Sequence, residues 1–209
     1  KALKIIDLKT WPRKEHFDFF RRMEYPQFNI CVNLDVTRLL QFVKENGLSF
    51  YFTLGYASAA AANEIENFRY RIRRDQVVLH DKVHPSFTIL PEGSDLYKMV
   101  AADMTDDIRD YTKAVNEKND RQPGFMDLES EKRDDQLYCT CAPWFSFTQL
   151  THPIMLGSED SVPRLSWGKY HREGEKVMIS YSVQANHCLM DGFHAGKYLE
   201  CLQSYINNL

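Results

Sequence analysis

The sequence predicts an α/β fold, a two-layer sandwich in which a mixed, largely antiparallel sheet is backed by helices. Helical periodicity dominates the first half of the chain, and β-branched and aromatic runs dominate the last third. No regular alternation of strand and helix runs through it, as a parallel sheet would require. With 209 residues, 44% of them hydrophobic and 26% charged, the chain can bury a substantial core. It carries no internal repeat, low-complexity tract or Pro/Ser-rich linker, so one domain over residues 1–209 is expected.

In chain order, "DVTRLLQFVKENG" (35 to 47) places Val36, Leu39, Leu40 and Val43 at helical spacing, with Asp35 as the expected N-cap and Gly47 as the stop. "FTLGYASAAAANEIENF" (52 to 68) is small and apolar on most faces, which suits a helix enclosed against a sheet. "QVVLHD" (76 to 81) and "SFTILP" (86 to 91) read as strands separated by a turn at "KVHP". Helical periodicity returns over 95 to 121, and the polar stretch after it, through "PGFMDLESEKRDDQ", reads as an exposed loop. Strand signals then fill 137 to 150 and 164 to 186, with a hairpin turn at "REGE" (172 to 175), before a last helix over 192 to 208.

Composition narrows the function classes. A net charge of −3 with interspersed signs offers no broad basic face for nucleic acid and no basic amphipathic helix for lipid. The expected partner is a small molecule or another chain. The apolar runs fall short of the roughly 18 residues of a membrane span, and "KALKIIDLKTWPRKEH" lacks the pattern of a signal peptide, so a cytoplasmic protein is expected. The five cysteines (31, 139, 141, 188 and 201) form no C-x-x-C pair, which predicts reduced, mostly buried thiols. His80, His84, His152, His171 and His194 show no ligand spacing, and no metal is expected.

One motif carries chemistry. "NHCLMDGFHAGK" sets His187 four residues before Asp191 and a glycine, where a strand gives way to a helix. The chance expectation for H-x-x-x-D-G in this composition is roughly 0.02. A histidine at a strand end can project into a cleft and exchange a proton near neutral pH. The same residues can equally be a hydrogen-bonded core histidine and a helix cap. Cys188 points to the opposite face and forms no nucleophile pair with His187.

The wider pattern resembles the trimeric chloramphenicol acetyltransferases. Matching blocks run in order from "WPRKEHFDFF" through "SFYFTLGY", "VHPSFTI", "CAPWFSF" and "WGKY" to "SVQANHCLMDGFHAGK". Dihydrolipoyl acyltransferase cores and peptide-synthetase condensation domains share the H-x-x-x-D-G motif, but their other blocks do not match. The resemblance implies a CoA-dependent acyltransferase sandwich with acetyl-CoA as co-substrate and no metal. It implies a homotrimer in which His187 of one chain serves the acceptor pocket of its neighbour. His187 matches the general base, in direct transfer through a ternary complex. Asp191 and Arg13 match an ion pair that holds the site in shape. Thr140 matches a hydroxyl that stabilises the oxyanion, and Ser166 one that holds a water near the intermediate.

For CoA, the matching positions are Trp144, Lys169, Tyr170 and Tyr51, aromatic faces and a lysine suited to adenine and phosphate. For the acceptor they are Phe20, Phe28, Thr88, Tyr97, Leu150 and Ile154, an aromatic and apolar wall fit for an aryl ring. Glu24 and Arg164 fall at positions that are apolar in the family. A buried charge needs a partner. Either these two pair with each other, they turn to solvent, or the pocket takes a polar or charged acceptor. Asn186 stands where the family usually has a second histidine, and Ser49 where it often has a base.

Overall fold

A computed structural model describes residues 3–209, so Lys1 and Ala2 of the N-terminal stretch lie outside the described residues. Strand β1 (Leu3–Ile5), helix α1 (Lys14–Phe20) and strand β2 (Gln27–Asp35) come first. None of the three is among the expected elements. The first two are short, and α1 buries only Phe17, so neither carries a readable period.

Helix α2 spans Thr37–Asn46 and ends at Gly47, whose φ of 63° is the left-handed conformation that glycine adopts without strain. Asp35 is not its N-cap. It closes β2 instead, with Oδ1 accepting from the Thr37 N–H at 3.0 Å and the Thr37 hydroxyl at 2.6 Å, while Val36 occupies the cap. Helix α3 (Phe50–Glu64) is the enclosed helix, capped by Ser49, which accepts from the Phe52 N–H. It stops earlier than expected. The β-branched Ile65 is extended (φ −108°, ψ 105°), and Glu66–Arg69 forms a separate tight turn.

Strands β3 (Tyr70–Arg73) and β4 (Gln76–His80) form a hairpin. Strand β5 spans His84–Ile89, because the His84 N–H reaches the Asp135 carbonyl and brings His84 and Pro85 into the sheet, shortening the expected turn. The helix expected over 95 to 121 divides in two. Strand β6 (Lys98–Ala101) pairs antiparallel with β5, and helix α4 starts only at Ile108, behind Asp107, which accepts from the Arg109 and Asp110 N–H groups. Met99, Val100 and Ala101 fit either period, and pairing with β5 decides. The expected loop after α4 holds helix α5 (Leu128–Glu131), capped by Asp127, with Gln122 and Ser130 buried.

Strand β7 spans Gln136–Cys141 and ends well before residue 150, since Pro143 has no N–H to offer a ladder. Strands β8 (Arg164–Trp167), β9 (His171–Glu173) and β10 (Lys176–Asn186) follow. The turn at Gly174 (φ 61°) pairs Glu173 with Lys176 as expected. Helix α6 (Gly192–Asn207) closes the chain.

The strands make a small antiparallel sheet, β1-β4-β3, and a seven-stranded sheet, β2-β10-β8-β7-β5-β6, with β9 beside β10. Within the larger sheet β7 is parallel to both β5 and β8, and the other pairs are antiparallel. Its two faces differ in chemistry. Val177, Ile179, Tyr181, Val183 and Ala185 of β10 point into the core with α2, α3 and α6. The alternate residues Ser180, Ser182, Gln184 and Asn186 face the other way and are buried all the same. A close approach fixes α3 on the apolar side. A Cβ on Gly55 would collide with the Phe87 ring, so glycine alone lets the helix lie this near β5.

Candidate active site

His187 stands one residue past the end of β10, in a turn set by Asn186. The Asn186 Oδ1 accepts from the Cys188 N–H at 2.9 Å, and its Nδ2 donates to the carbonyls of Ser158 and Asp160. The His187 N–H donates to the Pro26 carbonyl at 2.7 Å. The imidazole stacks on Phe20, centroids 4.0 Å apart and planes within 6°, and Phe28 closes a second side at 4.9 Å. Its Nδ1 is buried with no hydrogen-bond partner among the described residues.

Arg13 fixes the backbone beneath this ring. Its Nη2 donates to the His187 carbonyl at 2.9 Å, its Nε to the Cys188 carbonyl at 3.1 Å, and its Nη1 to Asp191 Oδ2 at 3.0 Å. The other carboxylate oxygen of Asp191 accepts from the Phe193 N–H, and His194 Nδ1 accepts in turn from the Asp191 N–H, completing a capping box at the start of α6. The cap and the ion pair are therefore one device. Burial alone would raise the Asp191 pKa, but the hydrogen bond and the charge of Arg13, with the Phe193 N–H, hold it below the usual carboxylate range. Burial pushes the Cys188 thiol up to about 11, which leaves it a protonated core side chain packed with Trp11 and Phe17.

A second group lies at mid-sheet on the polar face. Register sets Thr140 of β7 beside Ser166 of β8 and Ser166 beside Ser182 of β10. The segment 142–163 folds over this row. The Leu150 carbonyl accepts from the Ser182 hydroxyl and from Asn29 Nδ2, and His152 Nε2 lies 2.6 Å from Ser166 Oγ. The sequence reading sets His152 aside for want of ligand spacing. No period in the sequence points to it: His152 lies in an irregular segment, and its place is set by Gln184, buried on the polar face of β10, which holds the His152 backbone. Thr88 sits in β5 at the same level, with its carbonyl taken by the Tyr51 hydroxyl.

Past the end of β8, Trp144, Lys169 and Tyr170 are exposed together. The Lys169 N–H donates to the Phe145 carbonyl, tying the two loops, and Trp144 is 66% exposed. Tyr51 packs its ring against Trp167, and its single hydroxyl proton is shared between the carbonyls of Thr88 and Cys139, at 2.8 Å and 2.9 Å. Tyr97, just ahead of β6, is exposed, with its ring against Phe125. Ile154 is half-buried in the covering segment.

The two charges at pocket positions do not pair with each other. Arg164 makes a two-pronged bond to Asp160, Nη1 to Oδ1 at 3.0 Å and Nη2 to Oδ2 at 2.8 Å, with both side chains 10% exposed. Glu24 is exposed to solvent, and its carbonyl accepts from the Gly157 N–H. Among the described residues no group of three or more His, Cys, Asp or Glu is placed to hold a metal ion, and no helix is long and apolar enough to cross a membrane.

Known proteins resemble this chain in sequence and fold. The family described as chloramphenicol acetyltransferase matches residues 2–203. A chloramphenicol acetyltransferase of Proteus mirabilis is 30% identical over 203 residues, covering 96% of this chain and 93% of its own. A solved chloramphenicol acetyltransferase superposes with a TM-score of 0.90 at 25% identity, covering 98% of this chain and 100% of its own. The truncated catalytic core of the 2-oxoacid dehydrogenase multienzyme complex from Thermoplasma acidophilum shares the fold, with a TM-score of 0.72 at 13% identity over 98% of each chain. The expected sandwich is thus an acyltransferase sandwich, and the chain belongs to the chloramphenicol acetyltransferase family.

Proposed function

We propose that this chain transfers the acetyl group of acetyl-CoA to a hydroxyl of chloramphenicol, with His187 as general base, and that three copies assemble so that each base serves a neighbour's site. The observation that carries the shared site is a separation within one chain. Ser166 pairs with Ser182, and His187, one residue past the end of β10, lies five residues farther along the chain, a span of about 16 Å at roughly 3.3 Å per residue. A base and an oxyanion donor acting on one carbonyl carbon must lie within about 8 Å of each other, each a hydrogen bond from the reacting atoms. One chain therefore supplies two half-sites, His187 with Phe20 and Phe28, and the Thr140–Ser166 row with Thr88 and Leu150. Strand β2, nine residues long and at the edge of its sheet, leaves an open edge of the kind that proteins cover.

In the assembled site, His187 takes the proton of the acceptor O–H as that oxygen attacks the thioester carbon. Negative charge moves to the carbonyl oxygen, where the Thr140 hydroxyl donates to it. The intermediate collapses with cleavage of the C–S bond, and the imidazolium returns its proton to the CoA sulfur. The imidazole is held for this step by its stack on Phe20 and by Arg13, which pins the carbonyls on either side of the turn. Trp144, Lys169 and Tyr170 form an aromatic and cationic group suited to adenine and phosphate. The Arg164–Asp160 pair neutralises the one buried charge of the pocket positions, which favours an uncharged aryl acceptor.

A mixing experiment tests both parts. His187→Ala chains and Thr140→Ala chains are unfolded together and refolded, and thiol release from acetyl-CoA is followed with chloramphenicol present. In a random trimer, a site with an intact base from one chain and an intact Thr140 from the next arises about a quarter of the time. The mixture is expected to recover roughly that share of the wild-type rate. A mixture no faster than its two parents would refute the shared site, and a wild-type chain that releases no thiol would refute the activity.

A further inference from the structure

Beside the proposed oxyanion donors, Ser166 Oγ has one hydrogen-bond partner among the described residues, His152 Nε2 at 2.6 Å. Which atom carries the proton decides what Ser166 can do. If the serine O–H donates to the ring, its proton is used up and only lone pairs face the site. If the ring N–H donates to the serine, the O–H is free to turn toward negative charge. Ser182, the next hydroxyl in the row, already donates to the Leu150 carbonyl and accepts from Asn29 Nδ2.

His152 is built into place. Gln184, buried on β10, holds its backbone at two points, with Oε1 accepting from the His152 N–H at 2.8 Å and Nε2 donating to the His152 carbonyl at 3.3 Å. The ring stays neutral near neutral pH, since burial first and the Arg164 guanidinium second disfavour its cation. A neutral imidazole has a single N–H, and Nδ1 of His152 has no acceptor among the described residues to draw the proton there.

We propose that His152 is a positioning residue for acetyl transfer, and that its Nε2–H donates to Ser166 Oγ and leaves the Ser166 hydroxyl to donate into the site beside Thr140. This rests on the acetyl-transfer reading above. Neighbouring strands put the two hydroxyls about 4.8 Å apart on one face, a spacing at which two donors can approach one oxyanion or a water bound to it. Donors fixed before reaction act on the developing charge and little on ground-state binding. The prediction therefore concerns kcat and not KM.

The test compares His152→Leu, His152→Gln, Ser166→Ala and the His152→Leu/Ser166→Ala double variant with acetyl-CoA and chloramphenicol, alongside nitrogen-15 NMR of the histidine rings. His152→Leu is expected to lower kcat roughly tenfold, with both KM values within about twofold, the loss of a donor's orientation being milder than loss of the donor itself. The glutamine, whose amide N–H can reach the serine, restores most of the rate. The double variant is no slower than Ser166→Ala, and the resonance missing from His152→Gln reports an Nε2–H ring. Wild-type kcat in His152→Leu, additive losses in the double variant, or an Nδ1–H ring would overturn the inference while acetyl transfer dependent on His187 stands. A wild-type chain with no acetyl transfer would bring down the underlying reading and this inference with it.

Discussion

Replacing Arg13 by alanine removes three hydrogen bonds at once, to the carbonyls of His187 and Cys188 and to Asp191. The Arg13 side chain is 11% exposed and that of Asp191 32%, so water reaches the acid more readily than the cation. Breaking a fully buried pair costs about 3–5 kcal/mol. Partial access at Asp191 lowers the expectation to about 2–4 kcal/mol. At about 3 °C per kcal/mol for a domain of this size, Tm should fall by about 6–12 °C. Activity should fall further than stability requires at a temperature where the variant is folded, because the turn that aims His187 loses its anchor. Lysine should recover little, since a point charge cannot hold three acceptors arranged around a planar fork. Adding Asp191→Asn should restore part of the stability, because it removes the orphaned carboxylate, and none of the activity. Urea denaturation with thiol-release kinetics on the same samples is the assay. An Arg13→Ala chain within 0.5 kcal/mol of wild type and with unchanged kcat would refute the reasoning.

Other perturbations have equally definite signs. Gly55→Ala gains roughly 1 kcal/mol of helix propensity but drives a methyl into the Phe87 ring, an overpacking that costs about 1–3 kcal/mol. A net loss in thermal melting is expected, relieved by Phe87→Leu. Arg164→Met leaves Asp160 buried and unpaired, which should cost about 3–5 kcal/mol in urea unfolding, much of it recovered in Arg164→Met/Asp160→Asn. At Asp127, burial works to raise the pKa, but hydrogen bonds from Ser130 and the charge of Lys118 outweigh it and hold the group at about 2. Asp134, bound to Arg73 and His80, is depressed in the same direction. Between the folded values and the unfolded value near 4, the unfolded chain binds more protons. This contribution to stability is complete above pH about 4 and is lost as pH falls toward 2. Denaturant titrations over that range should lose part of their slope in Asp127→Asn.

Much of the fold was legible because period and environment agree. The Ala-rich run of α3 looked enclosed and is enclosed, and the strand-to-helix handover at residues 186–192 lies where the motif suggested. Readability failed where a segment's partner decides its state. Residues 98–101 satisfy helical spacing until β5 pairs with them, and β1, α1 and β2 are too short or too polar to announce themselves. The site shows the same division. His187, Arg13 and Asp191 could be matched position by position because a sequence motif fixes them. The pairing of Arg164 with Asp160, four residues back in an irregular segment, has no period to betray it. Nor could sequence place His152 on Ser166, since that contact depends on how the segment 142–163 lies over the polar face.

The decisive measurement is the rate of thiol release from acetyl-CoA with chloramphenicol as acceptor, for the wild-type chain and for His187→Ala under the same conditions. General-base removal in the site described should reduce kcat by at least roughly 100-fold to 10,000-fold, with the variant still folded and still binding acetyl-CoA. A His187→Ala chain that acetylates chloramphenicol at the wild-type rate would contradict His187 as the base. A folded wild-type chain that acetylates no part of it would contradict the proposed function itself.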